Sequence, residues 1–142
     1  MTPAWGLHVC CRVPWDVVEH AEPDLISFDL AGTRSTDRRG LTALERTVRR
    51  GGRVAWGVTR VDSDDGPASA ARWLSEAVSA LTARGLDRDR VLDNSLLTPS
   101  CGTALVSPDR ERALASALDA AAAAARACVP VAHDRRARVS VS

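Results

Sequence analysis

"DLISFDLAG" (residues 24–32), "RRGLTALERTVRRG" (38–51) and "GRVAWGVTRV" (52–61) make up the stretch on which the fold reading turns. The outer two segments are apolar, carry β-branched and aromatic residues, and stop at glycine or in polar sequence, as strands do. In the middle one, Leu41, Leu44 and Val48 recur at helical spacing and Gly51 ends the run. A strand–helix–strand unit follows from that pattern.

The same alternation extends in both directions. Upstream, "WGLHVCC" (5–11) reads as a buried strand that stops before Pro14, and "PWDVVEHAE" (14–22) as a short helix with Pro14 near its start. Downstream, "ASAARWLSEAVSALTARG" (68–85) is amphipathic, with Trp73, Leu74, Ala77, Val78 and Leu81 on one face and Gly85 at its end. "DRVLDNSLLTPSCG" (89–102) supplies a fourth strand around "SLLT". Residues 107–129 give the last helix, with Ser107 as N-cap and Pro108 in the first position. The alanine run 120–125 has the highest helix propensity available and suits close packing on a sheet. Four βα repeats predict an α/β fold with a parallel sheet and right-handed crossovers. An open doubly wound sheet and a (βα)8 barrel both fit this order, and no G-x-G-x-x-G fingerprint follows any strand. Four units over residues 1–129 would make either a small open sheet or half of a (βα)8 TIM-type barrel, followed by a flexible polar tail over 130–142.

Composition narrows the function classes. The chain has 142 residues and a formal net charge of +1, so no general attraction to nucleic acid or to an anionic membrane is expected. All 19 basic residues are arginine, which looks like coding bias rather than chemistry. No apolar run is long enough to span a bilayer and no signal peptide is evident, so a cytoplasmic location is expected. Four cysteines in a reducing compartment point to metal, catalysis or burial rather than to disulfides.

Functional groups of parallel α/β proteins gather at the C-terminal ends of their strands. His8 and Cys10 are two apart on the first expected strand and should leave the same face, with Cys11 opposite. Asp29 closes the second strand, and Cys101 follows the fourth in a Pro–Ser–Cys–Gly turn. Imidazole, thiol and carboxylate are zinc ligand types, and a protein site that leaves a position open to substrate is catalytic.

Together, "WGLHVCC", "DLISFDLAG", "GGRVAWGV" and "LLTPSCG" resemble the C-terminal half of the catalytic barrel of cobalamin-independent methionine synthase and its shorter relatives. The resemblance implies zinc held by His8, Cys10, Asp29 and Cys101, with a formal charge of about −1 at the site. It implies that homocysteine, or another small thiol, is activated there and methylated by a methyltetrahydrofolate donor. The family's usual glutamate is Asp29 here. A family histidine on the third strand, associated with protonating the folate leaving group, is matched in "GVTRVDS" by Asp62. Met1 stands only a few residues before the first ligand strand, so the other barrel half is expected from a second copy or from a separate N-terminal half. Two other functions fit the same residues. One is a thiol methyltransferase using a corrinoid or another small donor. The other is a non-catalytic zinc-binding fragment acting only with a partner half.

The remaining features carry plainer expectations. His20 and His133 should lie at the surface, Cys11 and Cys128 on packing faces, and the four tryptophans in the core. Trp56 also shares a strand with Thr59 near the expected pocket end. "DSDDGP" (62–67) reads as a solvated turn, and the arginines of 38–50 as the wet face of their helix.

Overall fold

The computed structural model describes residues 4–33, 37–63 and 66–127. Cys128, His133, the tail 130–142, and Asp64 and Asp65 of the "DSDDGP" turn lie outside the described residues. The elements in order are β1 (Gly6–Val9), α1 (Trp15–Ala21), β2 (Leu25–Asp29), α2 (Arg38–Arg49), β3 (Arg53–Thr59), α3 (Pro67–Thr82), α4 (Arg88–Asp93), β4 (Ser95–Pro99) and α5 (Pro108–Ala127).

The four strands form one parallel sheet in the order β1-β2-β3-β4. Strand order therefore follows chain order, with no reversal that would make a topological switch point. One face of the sheet is packed. Ile26 and Phe28 of β2, and Val54, Trp56 and Val58 of β3, join helix residues such as Leu44, Val48, Leu74, Leu81 and Ala121 in one core. Leu7, Val9 and Leu97 extend that face onto the edge strands. Each such fully buried aliphatic side chain contributes about 1.5–3 kcal/mol relative to exposure. Trp56 belongs to this core: its ring meets Phe28 edge-on at 5.7 Å and its Nε1–H donates to Ser95 Oγ at 2.8 Å. The strand residues that alternate with these occupy the other face: Gly6 and His8 on β1, Leu25, Ser27 and Asp29 on β2, Ala55 and Gly57 on β3, Leu96 and Thr98 on β4.

Local signals account for the helix limits. Asp37 caps α2 by accepting from Arg39 N at 2.7 Å, and Gly51 ends that helix with a φ of +85° that other residues rarely adopt. Ser107 Oγ accepts from Arg110 N at 3.2 Å at the start of α5. Helix α4 is absent from the sequence reading; Asp87 caps it through Arg90 N at 2.9 Å, and only Val91 on it is buried.

Three expectations need correction. β1 stops at Val9, because Cys10, Cys11 and Arg12 form a bend, so strand alternation does not govern the two cysteines. Cys11 is exposed rather than packed for the same reason. Trp5 is 46% exposed and Trp73 half-buried, so only Trp15 and Trp56 are true core tryptophans. His20 is at the surface, as expected, and no helix among the described residues is long and apolar enough to cross a membrane.

Candidate functional site

The four expected ligands all lie at the C-terminal end of the sheet or within two residues of its strands. His8 is on β1, opposite Ser27 in register, and the two side chains share a 2.9 Å hydrogen bond between Nδ1 and Oγ. Engagement of Nδ1 leaves Nε2 as the ring nitrogen open to another partner. Cys10 is the first residue past β1, as Asp29 is the first past the Val9–Phe28 pair on β2.

Asp29 itself is held by its own turn. Its Oδ1 accepts from Gly32 N at 3.0 Å, and its carbonyl accepts from Thr33 N at 2.9 Å. "DLAG" thus builds a side-chain-closed turn, which directs the carboxylate toward the loop after β2.

The chain beyond β4 comes back over the sheet. Ser100 N donates to Thr59 O at 2.8 Å, and Ser100 is buried. Gly57 makes that path possible: a Cβ there would stand 2.9 Å from the Ser100 Cα and 3.1 Å from the Asp29 Cα. Only a bare backbone lets the segment leading to Cys101 approach the end of β2. The start of the turn that carries Cys101 thus lies close to the end of β2 at Asp29.

Cys10, Cys11 and Cys101 are all exposed free thiols. That is unusual for a residue type that behaves as a small buried hydrophobe. Thr59 Oγ1 and Thr98 Oγ1, at the same end of β3 and β4, are buried without a hydrogen-bond partner. Among the described residues, no three His, Cys, Asp or Glu side chains stand near enough to share a metal ion. The donor types suit zinc, with two thiols, an imidazole and a carboxylate. The described arrangement brings their strand ends together but leaves His8 on Ser27 and Asp29 on Gly32.

Asp62 lies beyond β3, exposed, with both carboxylate oxygens accepting from Arg60 at 3.1 and 3.0 Å. The Arg60 guanidinium holds its carboxyl below the usual range. Asp62 is therefore ionised at neutral pH and suited to holding a cation or an N–H donor in place, not to giving up a proton.

Sequence reasoning did not single out Ser27, Ser100, Thr98, Arg12 or Arg39 at this end of the sheet. Ser27 had a usable signal, lying two residues before Asp29 on the same strand face. Ser100 and Thr98 flank the Pro99 turn. Arg12 and Arg39 line a cleft between the β1–α1 and β2–α2 loops, which becomes visible only once the loops are folded. Comparison with family models, curated proteins and solved structures finds no match for this chain.

Proposed function

We propose that the C-terminal end of this sheet is a zinc-dependent thiol-methylating site, with His8, Cys10, Asp29 and Cys101 as the metal-holding residues. The observation that carries the reading is the approach of the Ser100–Cys101 turn across Gly57 to Asp29, with Cys10 and Cys101 both exposed free thiols. The resemblance of the quoted segments to cobalamin-independent methionine synthase supplies the reaction class. When bound, zinc would lower the pKa of a small thiol such as homocysteine, so that a thiolate persists at neutral pH.

The chain's own residues have the other roles. Ser27 fixes the His8 ring through Nδ1 and leaves Nε2 for the metal. Asp29 exchanges its Gly32 contact for the site, or stays on that turn and orients a ligand. Asp62, kept ionised by Arg60, orients the methyl donor's polar groups. Methyltetrahydrofolate is the donor on this reading.

A second part of the proposal concerns completeness. Sequential parallel order is also the order of strands around a (βα)8 barrel, and β1 and β4 present open edges. Two exposed large hydrophobics belong to those edges, Trp5 directly before β1 and Leu96 on β4. We take the sheet as a half-barrel completed by a second copy or by a separate N-terminal half. Positioning donor and acceptor in line is worth roughly 7–11 kcal/mol when fully realised, and half of a barrel forfeits much of it.

The test is methyl transfer from methyltetrahydrofolate to homocysteine, with zinc, by this chain alone and with a complementing N-terminal barrel half. Transfer that appears or rises strongly on complementation, and is lost in Cys101→Ser, is the expected result. Zinc-independent transfer, or none in any combination, would refute the reading.

A further inference from the structure

We infer that the cleft between the loop after β1 and the start of α2 binds a small molecule carrying a carboxylate next to a hydrogen-bond donor, such as an ammonium or an amide N–H. The cleft has a volume of about 730 Å³ and opens at the C-terminal end of β1 and β2. Its size lies within the range of roughly 300–1,000 Å³ usual for small-molecule sites.

Among the described residues, four charged side chains line it: Arg12 and Arg39, Asp16 and Asp37. Neither guanidinium has a hydrogen-bond or ion-pair partner among the described residues. Several arginines elsewhere are engaged, among them Arg84 on Glu45, Arg50 on Pro23 O and Arg90 on Arg49 O, whereas these two stand together on one concave wall with their donors unused. A planar guanidinium with unused donors is matched to a carboxylate, which it can hold through two parallel bonds.

The acids decide the rest of the ligand. Asp37 spends Oδ1 on the α2 cap and Asp16 stands in the first turn of α1, so two carboxylates face whatever the arginines hold. A phosphate dianion would meet both repulsions. A carboxylate flanked by a donor group satisfies acids and arginines together. The buried Trp15 ring forms part of the wall and suits the ligand's carbon skeleton.

Two sources share this chemistry, a free amino acid and an N-acylated one. The inference does not depend on metal at Cys10 or Cys101, and it survives if the methyl-transfer reading fails. Because Gly32 both lines the cleft and holds Asp29, a ligand here would sit next to the sulfur-bearing end of the sheet.

The experiment is a titration followed by amide NMR shifts, using glycine, N-acetylglycine, acetate and inorganic phosphate at about 0.15 M salt, where distant surface charges are screened. Saturable shifts at residues 12–16 and 37–39 are expected with glycine or N-acetylglycine, and the tighter of the two identifies the source. Acetate and phosphate should bind at least about fivefold more weakly, the factor expected for one lost hydrogen bond. Arg12→Gln and Arg39→Gln should each weaken the tighter probe by a similar factor, and Asp16→Asn should weaken glycine. Both arginines are exposed, so unchanged shifts elsewhere will verify that the variants remain folded. The inference is overturned by an absence of saturable shifts with either amino-acid probe. It is equally overturned if phosphate or acetate binds as tightly, or if the folded double arginine variant keeps full affinity.

Discussion

The two ends of the sheet are built differently. At the N-terminal end, side chains from distant elements tie the layers together. Glu45 of α2 accepts from Arg84 beyond α3 at 2.7 Å and from Arg49 at 2.9 Å, while Arg84 also donates to Thr42 Oγ1 at 3.0 Å. Arg50 donates to Pro23 O and Arg90 to Arg49 O, each at 2.6 Å. At the C-terminal end, apart from the His8–Ser27 bond between β1 and β2, most polar groups of the candidate site are bound within their own turn or have no partner among the described residues. Among the described residues, Asp29 turns to Gly32, three thiols face solvent, two threonine hydroxyls are buried without partners, and the Arg12 and Arg39 guanidinia have no partner. The β3–α5 corner, where Arg110 donates to Arg60 O and Ser63 O, is cross-linked in the manner of the other end. One end holds the fold and the other is available for chemistry, the division expected of parallel α/β proteins.

Gly57→Ala should have the largest effect, because it acts where the two ends' logics meet. The new methyl would be forced against the Ser100 and Asp29 backbones. A cost of about 1–3 kcal/mol is expected in denaturant unfolding, with displacement of the Cys101 turn. An unchanged midpoint would mean that the turn does not lie across the strand.

Next in size is Glu45→Gln, expected to lose about 1–2 kcal/mol because two arginines lose their charged acceptor. This variant also sharpens the comparison through pH. Hydrogen bonds from Arg84 and then Arg49 lower the Glu45 pKa in the folded chain. The unfolded chain therefore binds a proton more readily there. The stabilisation is fully present above the ordinary glutamate value of about 4.3, and is lost as pH falls through the lowered folded value. Unfolding midpoints of the parent chain should fall over that acid window, and Glu45→Gln should flatten the fall. A slope unchanged by the substitution would contradict the assignment.

The smallest expected effects on stability belong to the functional end. Cys10→Ser and Cys101→Ser, at exposed thiols, should shift metal-free unfolding by no more than about 0.5 kcal/mol. A loss of several kcal/mol from either would place that thiol in the structural framework instead.

How far the sequence revealed this division differs between the ends. Helical spacing at Leu41, Leu44 and Val48 and strand alternation in 24–32 and 52–61 report burial, which is periodic, and the four βα units stand where that periodicity puts them. Short elements escape such reading. β1 has four residues, so nothing in "HVCC" marks its end at Val9, and α4 is too brief to show a period even though Asp87 and Asn94 bracket it. Composition and position identified the candidate ligands. Contacts set by register or by a chain crossing were not legible: His8 with Ser27, the Ser100 turn over Gly57, and the turn that claims Asp29. These depend on which residues face each other across neighbouring strands, information that no single segment contains.

The central claim is that the C-terminal end holds zinc through thiols that contribute nothing to the fold. The most direct measurement is zinc content per chain of the purified protein, compared with Cys10→Ser and Cys101→Ser at equal free zinc. The account predicts one zinc per chain in the parent protein and strong loss in each variant, while both remain folded. A parent chain that binds no zinc stoichiometrically, or two folded variants that keep it in full, would contradict it.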